Sequence, residues 1–299
     1  MNAGVYRGRF APTPSGPLHF GSLVAAAGSY LDALAHGGEW HVRIDDIDPP
    51  RVVAGAADQI LRTLETFGFE WQGPVVYQRH RTDRYAAAIE HLLRAGTLYA
   101  CTCSRTEIAA AGLPGLEGPR YPGTCRSGPS HPERMRALRL RVSAGRISFH
   151  DGLQGTIEQD VSLATGDFVV RRADGIPSYH LACAVDDGDA GFDPIVRGAD
   201  LIDSTPRQIL LQRALGLPTP EYLHLPVALD ATGAKLSKQT LAPAFGNDPV
   251  SDTLCRVFAF LGHPVPDDLK AADGRTLWLW GRGVWSRERL SGIRSAAAS

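Results

Sequence analysis

An α/β fold on a parallel sheet is the architecture this 299-residue sequence predicts, from three observations. The chain opens on a strand, a sharp loop, a helix and a second strand, a unit that starts a parallel sheet. Apolar residues then recur at helical spacing in two successive segments. Later, short strands again alternate with helices, with no internal repeat or low-complexity linker between them.

Val5 to Phe10 reads as the first strand and Leu23 to Ala35 as the first helix, with Pro12, Pro14 and Gly16 breaking the chain between them. Helix N-termini carry unpaired N–H groups and partial positive charge, so this junction suits a phosphate. Gly16 and Gly21 let a ligand approach the backbone, and His19 between them offers a ring nitrogen. The competing reading is an ordinary α/β turn. Gly37-Gly38 stops the helix, and Trp40 to Ile44 forms the second strand, followed by Asp45, Asp46 and Asp48. Ligands of parallel sheets bind beyond the carboxyl ends of the strands, where Ser15 and Asp45 both fall. A carboxylate there holds an ammonium or a ribose hydroxyl, or else caps a helix.

Val52 to Phe67 and Asp83 to Arg94 are expected as core-facing helices ended by Gly68 and Gly96. From Cys101 to about Pro132 the chain is rich in Gly, Pro, Ser and Arg, which marks an insertion. Within it, Cys101, Cys103 and Cys125 suggest a structural zinc site in place of a hydrophobic core, its fourth ligand open among Tyr121, His131 and His150. Unligated thiols are the alternative, and Cys183 and Cys255 read as small buried hydrophobes. Arg134, Arg136, Arg139 and Arg141 alternate with apolar residues, either facing a polyphosphate or forming the solvated face of a strand.

Ile147 to Ile157 reads as a β-hairpin. Phe168 to Arg172, the turn Asp174-Gly175 and Tyr179 to Ala182 read as another, returning the chain to the main sheet. Ile195 to Gly198 is a strand, and Pro206 to Leu215 a helix capped by Ser204 or Thr205. Two of the three lysines in the chain, Lys235 and Lys238, then share one short loop, the third being Lys270. In a chain that otherwise uses arginine, they suggest compact charges for a departing pyrophosphate. Val250 onward is helical in pattern and ends in a small-residue tail expected to be unstructured.

A net charge of −1 lacks the global basic footprint of a nucleic-acid binder, so any such contact is a local patch. No apolar run is long enough for a membrane span and no signal pattern opens the chain, so a cytoplasmic protein is expected, as a monomer.

The opening stretch, with His19-Phe20-Gly21-Ser22, resembles the nucleotide-binding signature of class I aminoacyl-tRNA synthetases, and Lys235-Leu236-Ser237-Lys238-Gln239 resembles their second signature. Arg9 to Gly16, Val42 to Asp48 and Ile195 to Gln208 narrow the resemblance to the glutamyl branch. A chain ending soon after the lysine loop, with Cys-x-Cys and Tyr-x-x-x-Cys in its insertion, is similar to the glutamyl-queuosine tRNA(Asp) synthetase family.

The resemblance implies a Rossmann-like class I catalytic domain in two halves, 1–100 and 166–245, with a zinc-bearing insertion at 101–165, a short helical region at 246–299 and no anticodon-binding domain. It implies activation of L-glutamate by ATP with Mg2+ and transfer to the queuosine base at the wobble position of tRNA(Asp), at its anticodon loop. Its catalytic residues are then His19, Lys235 and Lys238, and its ATP-binding residues Pro12, Gly16, His19, Gly21, Ser22 and Lys238. Glutamate is assigned to Arg9, Phe10, Ala11, Pro12, Thr13, Asp45, Tyr179 and Arg197. Zinc is assigned to Cys101, Cys103, Tyr121 and Cys125, which favours Tyr121 over the histidines. Asp45 stands where that family usually has Glu, one methylene shorter. Charging of a tRNA 3′ end and nucleotidyl transfer to a small acid are the competing activities.

Overall fold

The computed structural model describes residues 5–236 and 248–298. Its first half runs β1 (Arg7–Phe10), α1 (Phe20–Ala35), β2 (Glu39–Ile44), α2 (Ala56–Thr66), β3 (Val76–Tyr77), α3 (Thr82–Arg94) and β4 (Leu98–Cys101). The middle holds α4 (Arg105–Ala110), β5 (Ala137–Leu140), β6 (Arg146–Asp151), β7 (Gly155–Asp160), α5 (Val161–Ala164) and β8 (Val169–Arg171). Then follow α6 (Tyr179–Ala190), β9 (Ile195–Gly198), α7 (Thr205–Leu215), β10 (Tyr222–Leu225), β11 (Val227–Leu229), α8 (Val250–Phe260), α9 (Gly274–Val284) and β12 (Ser295–Ala297).

Two parallel sheets meet edge to edge. One is ordered β1-β2-β3; the other is β7-β6-β10-β9, antiparallel only at its β6–β7 hairpin. Arg7 and Asp193 exchange backbone hydrogen bonds of 3.3 and 3.0 Å, setting β1 beside β9. That seam is a reversal of strand order, and such a crevice at the carboxyl ends of parallel strands is where α/β folds bind ligands. Helix α1 covers it from one face. Its Gly28 is required by packing, since a Cβ there would sit 2.5 Å from Leu225 Cδ1 of β10. Leu23, Val24, Tyr30 and Leu31 of α1 are buried with Trp40, Ile44 and Leu225 in one core. Each fully buried large side chain of this kind contributes about 1.5–3 kcal/mol. A second core lies under α3, α6 and α7, and a small third one holds Tyr99, Cys101, Tyr121 and Cys125.

Four local expectations are corrected. Tyr179 to Ala182 is not the return strand of a hairpin but the first turn of α6, capped by the Ser178 hydroxyl, which accepts from Leu181 N–H at 3.3 Å. α2 begins at Ala56 rather than Val52, because the Pro49–Arg51 turn and left-handed Gly55 (φ 75°) delay it. Ser204 is the N-cap residue of α7 as expected but makes no side-chain capping bond, and the Thr205 hydroxyl accepts from Arg197 instead of capping. The small-residue tail forms β12, which lies parallel to β11 and satisfies its edge.

Candidate active site

The seam opens into a cavity of about 910 Å³. The end of β1 and the β1–α1 loop supply one wall: Arg9, Phe10, Ala11, Pro12 and Thr13 line it, as do His19, Gly21 and Ser22 at the start of α1. Gly16 shapes the same loop at φ 135°, outside the cavity wall. His19 is the N-cap residue of α1; its Nδ1 accepts from Ser22 N–H at 3.3 Å, and its Nε2 lies 3.0 Å from Ser22 Oγ. The Ser22 N–H is thus taken by the ring, and the positive end of α1 borders the cavity with that polar ring beside it. Asp45 comes from the end of β2, Tyr179 from α6 and Arg197 from β9. Lys235 also lines it, 2.5 Å from Asp200 Oδ2. Ser237, Lys238 and Gln239 lie outside the described residues.

Beneath this wall runs a buried ionic ladder. Arg9 donates to Asp187 from Nε and Nη2 at 3.1 and 3.3 Å. Arg43 donates to Asp187 Oδ1 at 2.6 Å and to both Asp45 oxygens at 2.6 and 3.3 Å. Burial pushes the Asp187 carboxyl upward, but the Arg9 and Arg43 guanidiniums outweigh it and hold it down at about 2. Burial wins at Asp45, which is raised despite Arg43. Cys183 lies 3.7 Å from Asp45 Oδ2, and burial followed by that carboxylate pushes its thiol up.

Arg197 is treated differently. It is 5% exposed, yet its Nε donates to His224 Nε2 at 3.1 Å, Nη1 to Gln208 Oε1 at 2.7 Å and Nη2 to Thr205 Oγ1 at 2.8 Å. Among the described residues no carboxylate pairs with it. Arg9 and Arg43 are compensated from within, whereas Arg197 keeps a desolvated, oriented positive charge against the cavity, a site for an anion. Sequence reasoning missed Arg43, Asp187, Asp151 and His224. The available signal was charge in apolar elements: an arginine inside β2 and adjacent Asp186-Asp187 inside α6.

Away from the cavity, the sulfurs of Cys101, Cys103 and Cys125 lie within 4.8 Å of one another. The Tyr121 hydroxyl lies 3.4 Å from Cys101 Sγ and 3.7 Å from Cys103 Sγ, and accepts from Cys125 N–H at 2.8 Å. Cys103 and Cys125 sulfurs are 3.5 Å apart, near the roughly 3.8 Å that two thiolates span on a tetrahedral zinc. Burial works upward on Cys125, but hydrogen bonds led by Ser130 and Thr102 bring it down to about 5. Three soft donors and a phenol oxygen fit a zinc ion. His131 turns instead toward Glu107 and Glu133, and His150 is an exposed residue of β6. Arg139 is buried, its guanidinium 3.9 Å from the Tyr121 ring centre, while Arg134 pairs with Glu107 and Arg141 stacks on Tyr99. No described helix is long and apolar enough to cross a membrane.

Residues 6–253 match the family of class I tRNA synthetases (E and Q), catalytic domain. A glutamyl-Q tRNA(Asp) synthetase of Chromobacterium violaceum is 53% identical over 290 residues, 97% of each chain, and one of Dechloromonas aromatica is 54% identical over 283 residues, 94% of each. Among solved structures, a glutamate tRNA ligase of Elizabethkingia meningosepticum in complex with its amino acid superposes with a TM-score of 0.80 at 25% identity, over 98% of this chain and 67% of that one. The chain therefore belongs to the class I tRNA synthetases of the glutamate and glutamine type, in the family of glutamyl-Q tRNA(Asp) synthetases, and is a ligase.

Proposed function

We propose that the protein activates L-glutamate with ATP and transfers it to the queuosine base at the wobble position of tRNA(Asp). The observation that carries the first step is Arg197: a buried guanidinium held only by neutral groups, at one end of a cavity whose other wall is a helix N-terminus. A bidentate arginine suits the side-chain carboxylate of glutamate and rejects an uncharged amide at that position. Tyr179 and the Arg9 to Thr13 backbone flank the amino acid, and Asp45 meets its ammonium. Both Asp45 oxygens already accept from Arg43, so this contact is made by a carboxylate partly neutralised from behind.

ATP lies with its phosphates on the first turn of α1, beside His19, Gly21 and Ser22, and magnesium enters bound to those phosphates. The glutamate α-carboxylate attacks the α-phosphorus, the bond to the bridging oxygen breaks, and pyrophosphate departs with the electron pair. Glutamyl-adenylate remains. No covalent nucleophile on the protein is needed; its work is alignment and charge stabilisation. Lys235 and Lys238 are assigned to the departing phosphates. A hydroxyl of the queuosine cyclopentene ring then attacks the acyl carbon and releases AMP. The three cysteines and Tyr121 hold zinc as a structural centre of the insertion, distant from these steps. A monomer in the cytoplasm suits the reaction.

Glutamate-dependent exchange of pyrophosphate into ATP without tRNA, with glutamine and aspartate as controls, tests the activation. Transfer is then tested with labelled glutamate on tRNA(Asp) with and without queuosine. Exchange with glutamate and label only on the queuosine-containing tRNA is expected. Charging of tRNA(Glu) at its 3′ end overturns the assignment.

A further inference from the structure

Behind Arg197 lies a second layer that neither touches the cavity nor belongs to the motifs above. His224, the third residue of β10, and Asp151, the last of β6, are both fully buried. Asp151 Oδ2 lies 2.5 Å from His224 Nδ1, while Oδ1 accepts from the backbone N–H groups of Leu153, Gln154 and His224 at 3.0, 2.8 and 3.3 Å. The other ring nitrogen, Nε2, receives Arg197 Nε–H at 3.1 Å and also lies 3.2 Å from Thr205 Oγ1, a hydroxyl that itself accepts from Arg197 Nη2 and donates to the Leu201 carbonyl. A guanidinium only donates, so Nε2 must carry a lone pair and the ring proton must sit on Nδ1, facing Asp151.

We propose that Asp151 and His224 are positioning residues that fix the imidazole in its Nδ1–H tautomer and thereby aim Arg197 at the amino-acid substrate. The carboxylate sits two bonds of communication away from the cavity and acts only through the ring. The logic parallels the aspartate that sets the histidine tautomer in a serine-protease triad, although here the histidine orients a cation and moves no proton. The arrangement also explains why Arg197 is held by His224, Gln208 and Thr205 rather than by a carboxylate: an acid in contact would cancel the charge, whereas an acid one imidazole removed fixes its direction and leaves its charge available to an anion. This inference rests on the reading of Arg197 as the group that recognises the glutamate side chain.

Asp151→Asn is the informative substitution. Three backbone N–H groups hold the amide oxygen at the Oδ1 position, which leaves the amide N–H₂ facing His224 Nδ1. The ring must then accept at Nδ1 and carry its proton on Nε2, against Arg197 Nε–H, donor against donor. His224→Asn removes the Nε2 acceptor while retaining a polar partner for Asp151, and His224→Gln can return an acceptor to Arg197. In glutamate-dependent pyrophosphate exchange, Asp151→Asn and His224→Asn are expected to raise the KM for glutamate about tenfold or more, the scale of one lost hydrogen bond to a charged group, and to narrow discrimination against glutamine. The KM for ATP stays within about twofold, and His224→Gln recovers part of the loss. On the wild-type protein, long-range ¹⁵N–¹H spectra of the imidazoles are expected to show His224, assigned by its absence in His224→Gln, as the neutral Nδ1–H tautomer.

An imidazolium or an Nε2–H tautomer in the wild type overturns the proposal even if both variants fail to fold. Equal rises in the two KM values, or no change in either, also overturn it. A wild-type protein without glutamate-dependent exchange would instead remove the reading of Arg197, leaving the tautomer measurement to judge the His224 arrangement alone.

Discussion

At the scale of single residues, the site depends on which buried charges are compensated and by what. Asp187 bridges Arg9 and Arg43, and all three are nearly inaccessible to water. Removing the negative member leaves two buried guanidiniums facing one another, so Asp187→Asn is expected to cost about 3–5 kcal/mol in urea unfolding at pH 7. The pH dependence has a definite sign. Asp187 is held at about 2, below the ordinary carboxylate value of 3.8, so its stabilisation is complete above that ordinary value and is lost as pH falls through about 2. The gap between wild type and Asp187→Asn therefore narrows between about pH 4 and pH 2. Asp45 is raised in part by Asp187 itself, so the two proteins are compared in an Asp45→Asn background, which removes its titration from the difference. A gap that is constant over this range would contradict the assignment of the shift to Arg9 and Arg43.

At the scale of elements, the segment between β4 and β5 is the part of the chain least able to hold itself together. Its own core is limited to Tyr99, Cys101, Tyr121 and Cys125, with Cys103 and Ile108 packed against it, and its only helix, α4, is six residues long. Segments that small commonly rely on a metal or cross-links in place of buried apolar area. Purified protein is expected to hold about one zinc per chain by elemental analysis, and Cys125→Ser to lose it. Hydrogen exchange in residues 99–135 should then accelerate strongly, while β1, β2 and β9 keep their protection. Near-zero zinc in both proteins would remove the site. The arginine row of this region is not simply the solvated face of a strand: Arg139 is buried over Tyr121, while Arg134 pairs with Glu107.

At the scale of the whole molecule, the C-terminal region is tied to the first helix by one buried carboxylate. Asp32 of α1 accepts from Tyr6 Oη at 2.5 Å, Trp285 Nε1 at 2.9 Å and Arg287 Nε and Nη2 at 2.8 Å each. Burial pushes Asp32 upward, but Arg287 outweighs it and the carboxyl is lowered, so the clasp is charged at neutral pH. Asp32→Ala orphans those donors and is expected to cost about 3 kcal/mol, lowering Tm by roughly 5–10 °C for a chain of this size. Asp32 sits about 20 Å along α1 from His19, so glutamate-dependent exchange measured well below Tm should stay within about twofold. A large loss of exchange with unchanged Tm would mean that the clasp shapes the cavity rather than the fold.

The sequence by itself determined the elements whose causes are local: the strand, broken loop and helix that open the chain, the stops at Gly37, Gly68 and Gly96, and the clustering of three thiols within one apolar-poor segment. It also determined the family, because the signatures from Arg9 to Ser22 and around Lys235 are contiguous runs of residues. What only the tertiary structure decided was partnership across distance. Arg9 meets Asp187, 178 residues away, because α6 packs beneath β1, and Asp151 meets His224, 73 away, because β6 pairs with β10. A buried charge is meaningful only through its partner, and no periodicity along the chain names that partner. Tyr179 shows the same limit at short range: Tyr-His-Leu-Ala after a turn mixes a strand-favouring aromatic with helix-favouring Leu and Ala, and the Ser178 cap with the packing of α6 on α7 settled it as helix. The tail became β12 for the converse reason: its small residues have little preference of their own, and the open edge of β11 supplied one.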